Sequence, residues 1–243
     1  MSVVNDVQLE EGKYDNKTPQ LLWRLLGDDE TMDAHIGALI DLAVSYGVDG
    51  IEIDYEAIRK DTALWERYAL FLEKLYAEAA AQGLLLRAVL SWDATKYAAL
   101  PAGPQYTVMC YNLYGYHSGP GPKADQTFLT TTYQLCLSLP GQARMAYATG
   151  GFDWTEGANP KALTQTQAEE LVAQLGQIPT RDAQSGALTL TYQKDGQTHA
   201  LWYADGQTLA VWRDWATECG YEGFDLFRMG GNNLDDWLAT LWK

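Results

Sequence analysis

An α/β fold of the (β/α) barrel type is predicted by three observations. Strand-like apolar runs alternate with amphipathic helical runs along most of the 243 residues. Glycines close the first two long helical runs, at Gly47 and Gly83, where a left-handed residue ends a helix. One strand, within Asp49–Glu56, carries an acid at every second position. Side chains alternate across a strand, so Glu52, Asp54 and Glu56 share one face. Ile51, Ile53 and Tyr55 share the other and suit packing under helices.

The elements follow in order. Val3–Gln8 reads as a short buried strand, and residues 9–27 as an irregular connector with an amphipathic patch at Leu21–Leu26. Asp28 or Asp29 caps a helix that runs to Tyr46, with Ile36, Leu39, Ile40 and Ala43 on one face. The acidic strand comes next. A helix over Thr62–Ala81 then buries Leu64, Tyr68, Phe71, Leu72 and Leu75. Strands are expected at Leu84–Leu90, Tyr106–Asn112 and Ala143–Thr149, with a Gly/Pro-rich loop at Tyr114–Pro122 and a helix at Asp125–Leu139. Strands separated by helices imply parallel pairing with right-handed crossovers.

The pattern breaks after Trp154. A helix at Gln165–Leu175 is followed by a hairpin, Leu188–Tyr192 with Thr198–Tyr203, around Lys194-Asp195-Gly196. A helix at Leu209–Cys219, a strand at Phe224–Met229 and a helix at Leu234–Trp242 restore it. The expected organisation is one catalytic domain: a barrel part over residues 1–154, an α+β insertion over 155–205 and a last barrel unit over 206–243. A complete barrel of eight units takes about 250 residues before insertions. The count is therefore short, and the expectation is a barrel lacking its first two strands, with self-association as the way such a barrel completes itself.

A net charge of −15 disfavours nucleic acid and anionic membrane as partners, since both select basic surfaces, but leaves a neutral glycan open. Nine Trp and fifteen Tyr supply rings of the kind that stack on sugars. Trp92, Trp154 and Trp202 are the candidate platforms, with ordinary core packing as the alternative for each. Cys110, Cys136 and Cys219 are odd in number and lack CxxC spacing, so neither a disulfide framework nor a zinc site is expected. His35, His117 and His199 have no metal-ligand spacing. No cofactor and no metal are expected, since a hard-cation site needs oxygen ligands from several loops and here one strand supplies them. No run of about 18 apolar residues marks a membrane span, and no signal peptide is visible.

Successive acids on one strand face lie about 7 Å apart. They cannot all ionise freely, so at least one pKa rises. A raised carboxyl beside an ionised one is what general acid catalysis on an ether-like oxygen requires.

Asp49-Gly50-Ile51-Glu52-Ile53-Asp54-Tyr55-Glu56 resembles the DGxDxDxE signature of glycoside hydrolase family 18. Met109-Cys110-Tyr111-Asn112 is similar to that family's second motif, and Gly223–Gly230 to its final strand. Trp154 with the following insertion and His199–Tyr203 resembles the spore-germination branch. The resemblance runs over nearly the whole chain. It places the acidic motif on the barrel's fourth strand. It implies cleavage of β-1,4 linkages in N-acetylglucosamine-containing glycan, peptidoglycan or chitin, by a retaining mechanism in which the substrate's own acetamido oxygen is the nucleophile. Glu56 is then the acid/base, Asp54 the partner of the acetamido N–H and Tyr111 the donor to its oxygen, with Met109, Asn112 and Trp154 at the substrate. A secreted or cell-wall location goes with that substrate. Two positions depart from the family: Glu52 stands where Asp is usual, which implies a shifted pH optimum, and Phe227 where Trp is usual, which implies weaker stacking. A lectin-like, non-catalytic member of the same fold is the alternative reading.

Overall fold

The computed structural model of the chain describes residues 1–58 and 60–241. The chain divides into two compact units, Met1–Met109 with Leu135–Arg144, and Cys110–Gln134 with Met145–Lys243.

In the first unit the expected strand Val3–Gln8 is two strands. β1 (Ser2–Val4) joins a parallel sheet, whereas β2 (Asp6–Glu10) pairs antiparallel with β3 (Lys13–Asn16). The break falls at Asn5, only 1% exposed, whose side chain bonds to the main chain of Glu56. A side-chain amide that replaces a backbone partner lets the chain leave the sheet there. Residues 9–27 are thus ordered rather than irregular: the β2–β3 hairpin leads into α1 (Pro19–Leu26), capped by Thr18 and started by Pro19.

α2 (Asp29–Tyr46) is capped by Asp28 and closed by Gly47 at φ 61°. β4 (Gly50–Asp54), α3 (Thr62–Ala81), β5 (Leu85–Ser91) and β6 (Gln105–Met109) follow. β1, β4, β5 and β6 lie side by side and run parallel. The apolar face of β4 is buried at Ile51 and Ile53. Beyond it, the rings of Tyr55, Phe71, Tyr68 and His35 pack with centroids 5.7–6.2 Å apart. The acidic face of β4 stays half-exposed at Glu52 and Asp54. Alternation in the sequence has become a core side and a chemical side.

α4 (Gln126–Cys136) and β7 (Arg144–Tyr147) begin the later part of the chain. In the second unit β8 (Gly150–Thr155), β9 (Lys161–Leu163), α5 (Gln165–Leu175), β10 (Thr180–Arg181), β11 (Leu188–Lys194) and β12 (Gln197–Ala204) come next. α6 (Gly206–Glu218), β13 (Phe224–Leu226) and α7 (Leu234–Leu241) complete it. The expected last helical residue, Trp242, lies outside the described residues. β13 pairs parallel to β7, Phe224 opposite Met145. The other five strands form an antiparallel sheet in the order β10-β11-β12-β8-β9. That sheet draws in Gly150–Thr155, ahead of residue 155. Its hairpin turns at Asp195 and Gly196, both at positive φ, as a two-residue loop between twisted strands requires. Arg181 holds Asp205, the cap of α6, with two hydrogen bonds of 3.0 and 2.6 Å.

β8 and β12 approach closely at Gly151, where an added Cβ would lie 1.8 Å from the Trp202 carbonyl oxygen. Gly151→Ala should therefore force two backbones apart and cost about 1–3 kcal/mol. A lower urea midpoint, against an unchanged one for Gly119→Ala as a control in open space, is the expected result.

Candidate active site

β4 delivers its acids in sequence. Glu52 lies opposite Arg87 of β5 in register and forms an ion pair with it at 3.2 Å. Glu52 thus has a cationic partner, and the unusual length of its side chain reaches toward the neighbouring strand. Asp54 has a buried Oδ1 with no hydrogen-bond partner. Burial first, then the charges of Glu56 and Glu52, push its pKa up to about 6, with Lys17 opposing them. The raised acid expected from the spacing is therefore Asp54.

Glu56 sits two residues past the end of β4. Its N–H donates to Asn5 Oδ1 at 3.0 Å, and its carbonyl accepts from Asn5 Nδ2 at 2.9 Å. Asn5 works as a two-pronged splint on the main chain. Ala57 then adopts φ 65°, a left-handed conformation that a residue with a Cβ rarely takes. The turn sends the chain away, so Glu56 projects from the strand end. Its Oε1 accepts a hydrogen bond and ion pair from Lys17 Nζ. Burial pulls the Lys17 ammonium down, but the bond to Glu56 and the charges of Glu56 and Asp54 outweigh it and hold it above its usual value.

A cavity of about 510 Å³ opens beside Glu56, lined also by Ile58, Trp65, Asp93, Tyr97 and Met109. Trp65 and Tyr97 are stacked at 6.2 Å, and the Tyr97 hydroxyl donates to Asp93 at 3.0 Å. The first unit thus brings Glu52, Asp54, Glu56 and Met109 together.

In the second unit Tyr111 and Phe227 stack at 5.6 Å with planes 16° apart. Phe227 is 53% exposed, so one ring face is open to solvent. Asn112 takes φ 64° at an exposed turn after Tyr111. Trp154 is 6% exposed, its indole N–H donates to the Ser118 carbonyl at 3.2 Å, and its ring packs on Phe152. That leaves little of the ring to carry a sugar. Trp92 carries the ammonium of Lys96 over its ring, 4.5 Å from the centroid.

Three residues around the acids carried no motif signal: Asn5, Lys17 and Arg87. Arg87 could have been found by aligning the two strands in register. Lys17 could not, because the β2–β3 hairpin that presents it was read as a connector. Among the described residues no group of three His, Cys, Asp or Glu side chains has the geometry to hold a metal.

No protein-family model matches the sequence, and no curated protein matches it. The fold is similar to solved structures. One is the Bacillus cereus spore cortex-lytic enzyme SleL, with a TM-score of 0.81 and 20% identity, covering 99% of this chain and 58% of that one. Another is a chitinase from Chromobacterium violaceum, with a TM-score of 0.83 and 20% identity, covering 99% of this chain and 78% of that one. A third is a GH18 chitinase from Cycas revoluta, in complex with (GlcNAc)4, with a TM-score of 0.73 and 17% identity over 90% of this chain and 75% of that one. The chain spans 58% of the length of the spore enzyme. These likenesses establish an α/β fold of the kind that those glycosidases use.

Proposed function

We propose that this chain is a glycoside hydrolase of family 18, with a barrel-type catalytic domain, that cleaves β-1,4 linkages of N-acetylglucosamine-containing glycans. The carrying observation is the Asp54–Glu56 pair: a carboxyl with a buried, unpaired Oδ1 and a raised pKa, two residues before an acid that a left-handed turn projects from the strand end. The fold likeness to chitinases and cortex-lytic enzymes supports the same reading.

The chemistry is retaining and substrate-assisted, outside the usual two-carboxylate scheme. Glu56 gives its proton to the glycosidic oxygen as the bond to the anomeric carbon breaks. The acetamido carbonyl oxygen of the same sugar attacks that carbon and closes an oxazolinium ring. Asp54 accepts the acetamido N–H, orients the group and balances the positive charge that develops on it. Water then loses a proton to Glu56 and opens the ring from the face the leaving group left, so configuration is retained. The family resemblance further gives Tyr111 the acetamido oxygen to bind, with Met109 and Asn112 as pocket walls. Substrates of this class lie in walls or outside the cell, and we place the protein's action there.

Lys17 is part of this reading. Its ammonium donates a hydrogen bond to Glu56 Oε1, on the carboxyl that the first chemical step needs as its proton donor. Lys17→Met removes that contact and should lower kcat about tenfold with KM little changed, since a hydrogen bond to a charged group that positions the acid is lost. A kcat that stays at the wild-type value would remove Lys17 from the mechanism. The same ion pair favours the second reading, a lectin-like member whose acid is locked. Release of chromophore from an N-acetylglucosamine oligomer separates the two: a hydrolase turns it over, whereas a lectin binds it and releases nothing.

A further inference from the structure

The second unit contains a pocket whose two cations, Lys123 and Arg228, the proposed chemistry does not use. It measures about 290 Å³ and is bordered by Lys123, Arg228, Phe227, Thr164, Gln167 and Asn232, with no acidic residue in its lining. That is notable in a chain with 32 acids against 17 Lys and Arg. Lys123 is largely withdrawn from water. Its ammonium donates to the Thr149 carbonyl at 3.0 Å and lies 5.8 Å from the Phe152 ring centroid. Among the described residues neither Lys123 nor Arg228 is in an ion pair. Burial pulls the Lys123 pKa down to about 8, with no carboxylate offsetting it. A withdrawn cation without a counter-charge is costly, and an arriving anion relieves that cost. Thr164 caps α5, so the positive end of a helix dipole also borders the space. The exposed Phe227 ring stands at the same pocket and is a platform for one face of a pyranose.

We propose that the Lys123–Arg228 pocket is an anion subsite for a carboxylate borne on the glycan next to a sugar stacked on Phe227, so that the chain prefers carboxylate-bearing amino-sugar strands to neutral ones. This rests on the glycan-hydrolase reading and narrows it. A lactyl ether on the sugar, or a short peptide attached to that ether, places a carboxylate one side-arm away from the ring. The guanidinium supplies paired donors that match a carboxylate, and the ammonium a compact charge. The shared chemistry is the carboxylate, and the probes tell its two sources apart.

The test is binding by calorimetry to the full chain carrying Glu56→Gln, with three disaccharides: the neutral N-acetylglucosamine dimer, one whose second sugar bears a free lactyl carboxylate, and one whose lactyl group carries a dipeptide. One or both acidic probes should bind about tenfold more tightly than the neutral one, as charge-assisted hydrogen bonds give. The better of the two names the carboxylate's source. Lys123→Met and, at the exposed position, Arg228→Gln should each collapse the ratio, and Arg228→Gln covers the case in which Lys123→Met does not fold. Equal affinity for all three probes, no binding of any, or a ratio that survives both substitutions overturns the subsite. Turnover by the wild-type chain is scored separately. No turnover with the ratio intact sinks the hydrolase reading and keeps the subsite, whereas turnover with a flat ratio does the reverse.

Discussion

Glu56→Gln lowers kcat on a chromogenic N-acetylglucosamine oligomer by about 10²–10⁴-fold while leaving the melting temperature nearly unchanged. The size is that of a general acid/base removed from a reaction that needs it in both halves. The unchanged fold follows from how Glu56 is held. Its position is set by its main chain, through the two bonds to Asn5, and an amide side chain leaves those in place. The Gln oxygen still accepts from Lys17, so the contact that orders the side chain is kept. What disappears is the proton. Asn5→Ala is the complementary variant: it keeps the acid but removes its splint, and leaves buried main-chain groups of Glu56 unpaired, so kcat and stability fall together. If Glu56→Gln keeps more than a tenth of wild-type kcat, Glu56 is not the acid and the mechanism fails.

The readable part of this site was the part whose physics is local. Alternation within Asp49–Glu56 is a property of one strand, and it assigned Ile51 and Ile53 to the core and Glu52 and Asp54 to the other face before any neighbour was known. The helices with side-chain caps and closing glycines, α2 and α3 above all, were equally local. The unreadable part depended on partners distant in sequence. Asn5 and Glu56 are 51 positions apart, and Lys17 and Glu56 are 39 apart. Nothing in the run Val3–Gln8 shows that Asn5 will bond to a main chain rather than continue a strand. Trp154 illustrates the converse: a Trp in a motif-like place reads as a sugar platform until the Ser118 carbonyl and Phe152 are seen to occupy it.

Asp54→Asn should make the protein more stable at neutral and alkaline pH and less active throughout. In the folded chain the Asp54 pKa is raised from 3.8 to about 6. The fold therefore favours the protonated group. Its contribution to stability is complete below pH 3.8 and is lost as pH rises through about 6. Asn mimics the protonated form at every pH, so the variant's advantage is absent at pH 3.5 and grows to a plateau above pH 7. Two pKa units correspond to at most about 3 kcal/mol, and with the side chain half-exposed the screened gain is roughly 1–2 kcal/mol. For a chain of this size that is roughly 2–8 °C in Tm. The stabilisation comes from removing a desolvated charge and its repulsion from Glu56 and Glu52, and the loss of activity comes from the loss of the same charge. An amide holds the acetamido N–H with a neutral oxygen and does not balance the oxazolinium charge. A carboxylate kept in a site that destabilises it is a group retained for what it does to substrate. Urea melts of both proteins at pH 3.5 and pH 8 decide it: a stability difference that is flat with pH, or that favours wild type at pH 8, would show that Asp54 is paired in solution and is not the strained partner of the reaction.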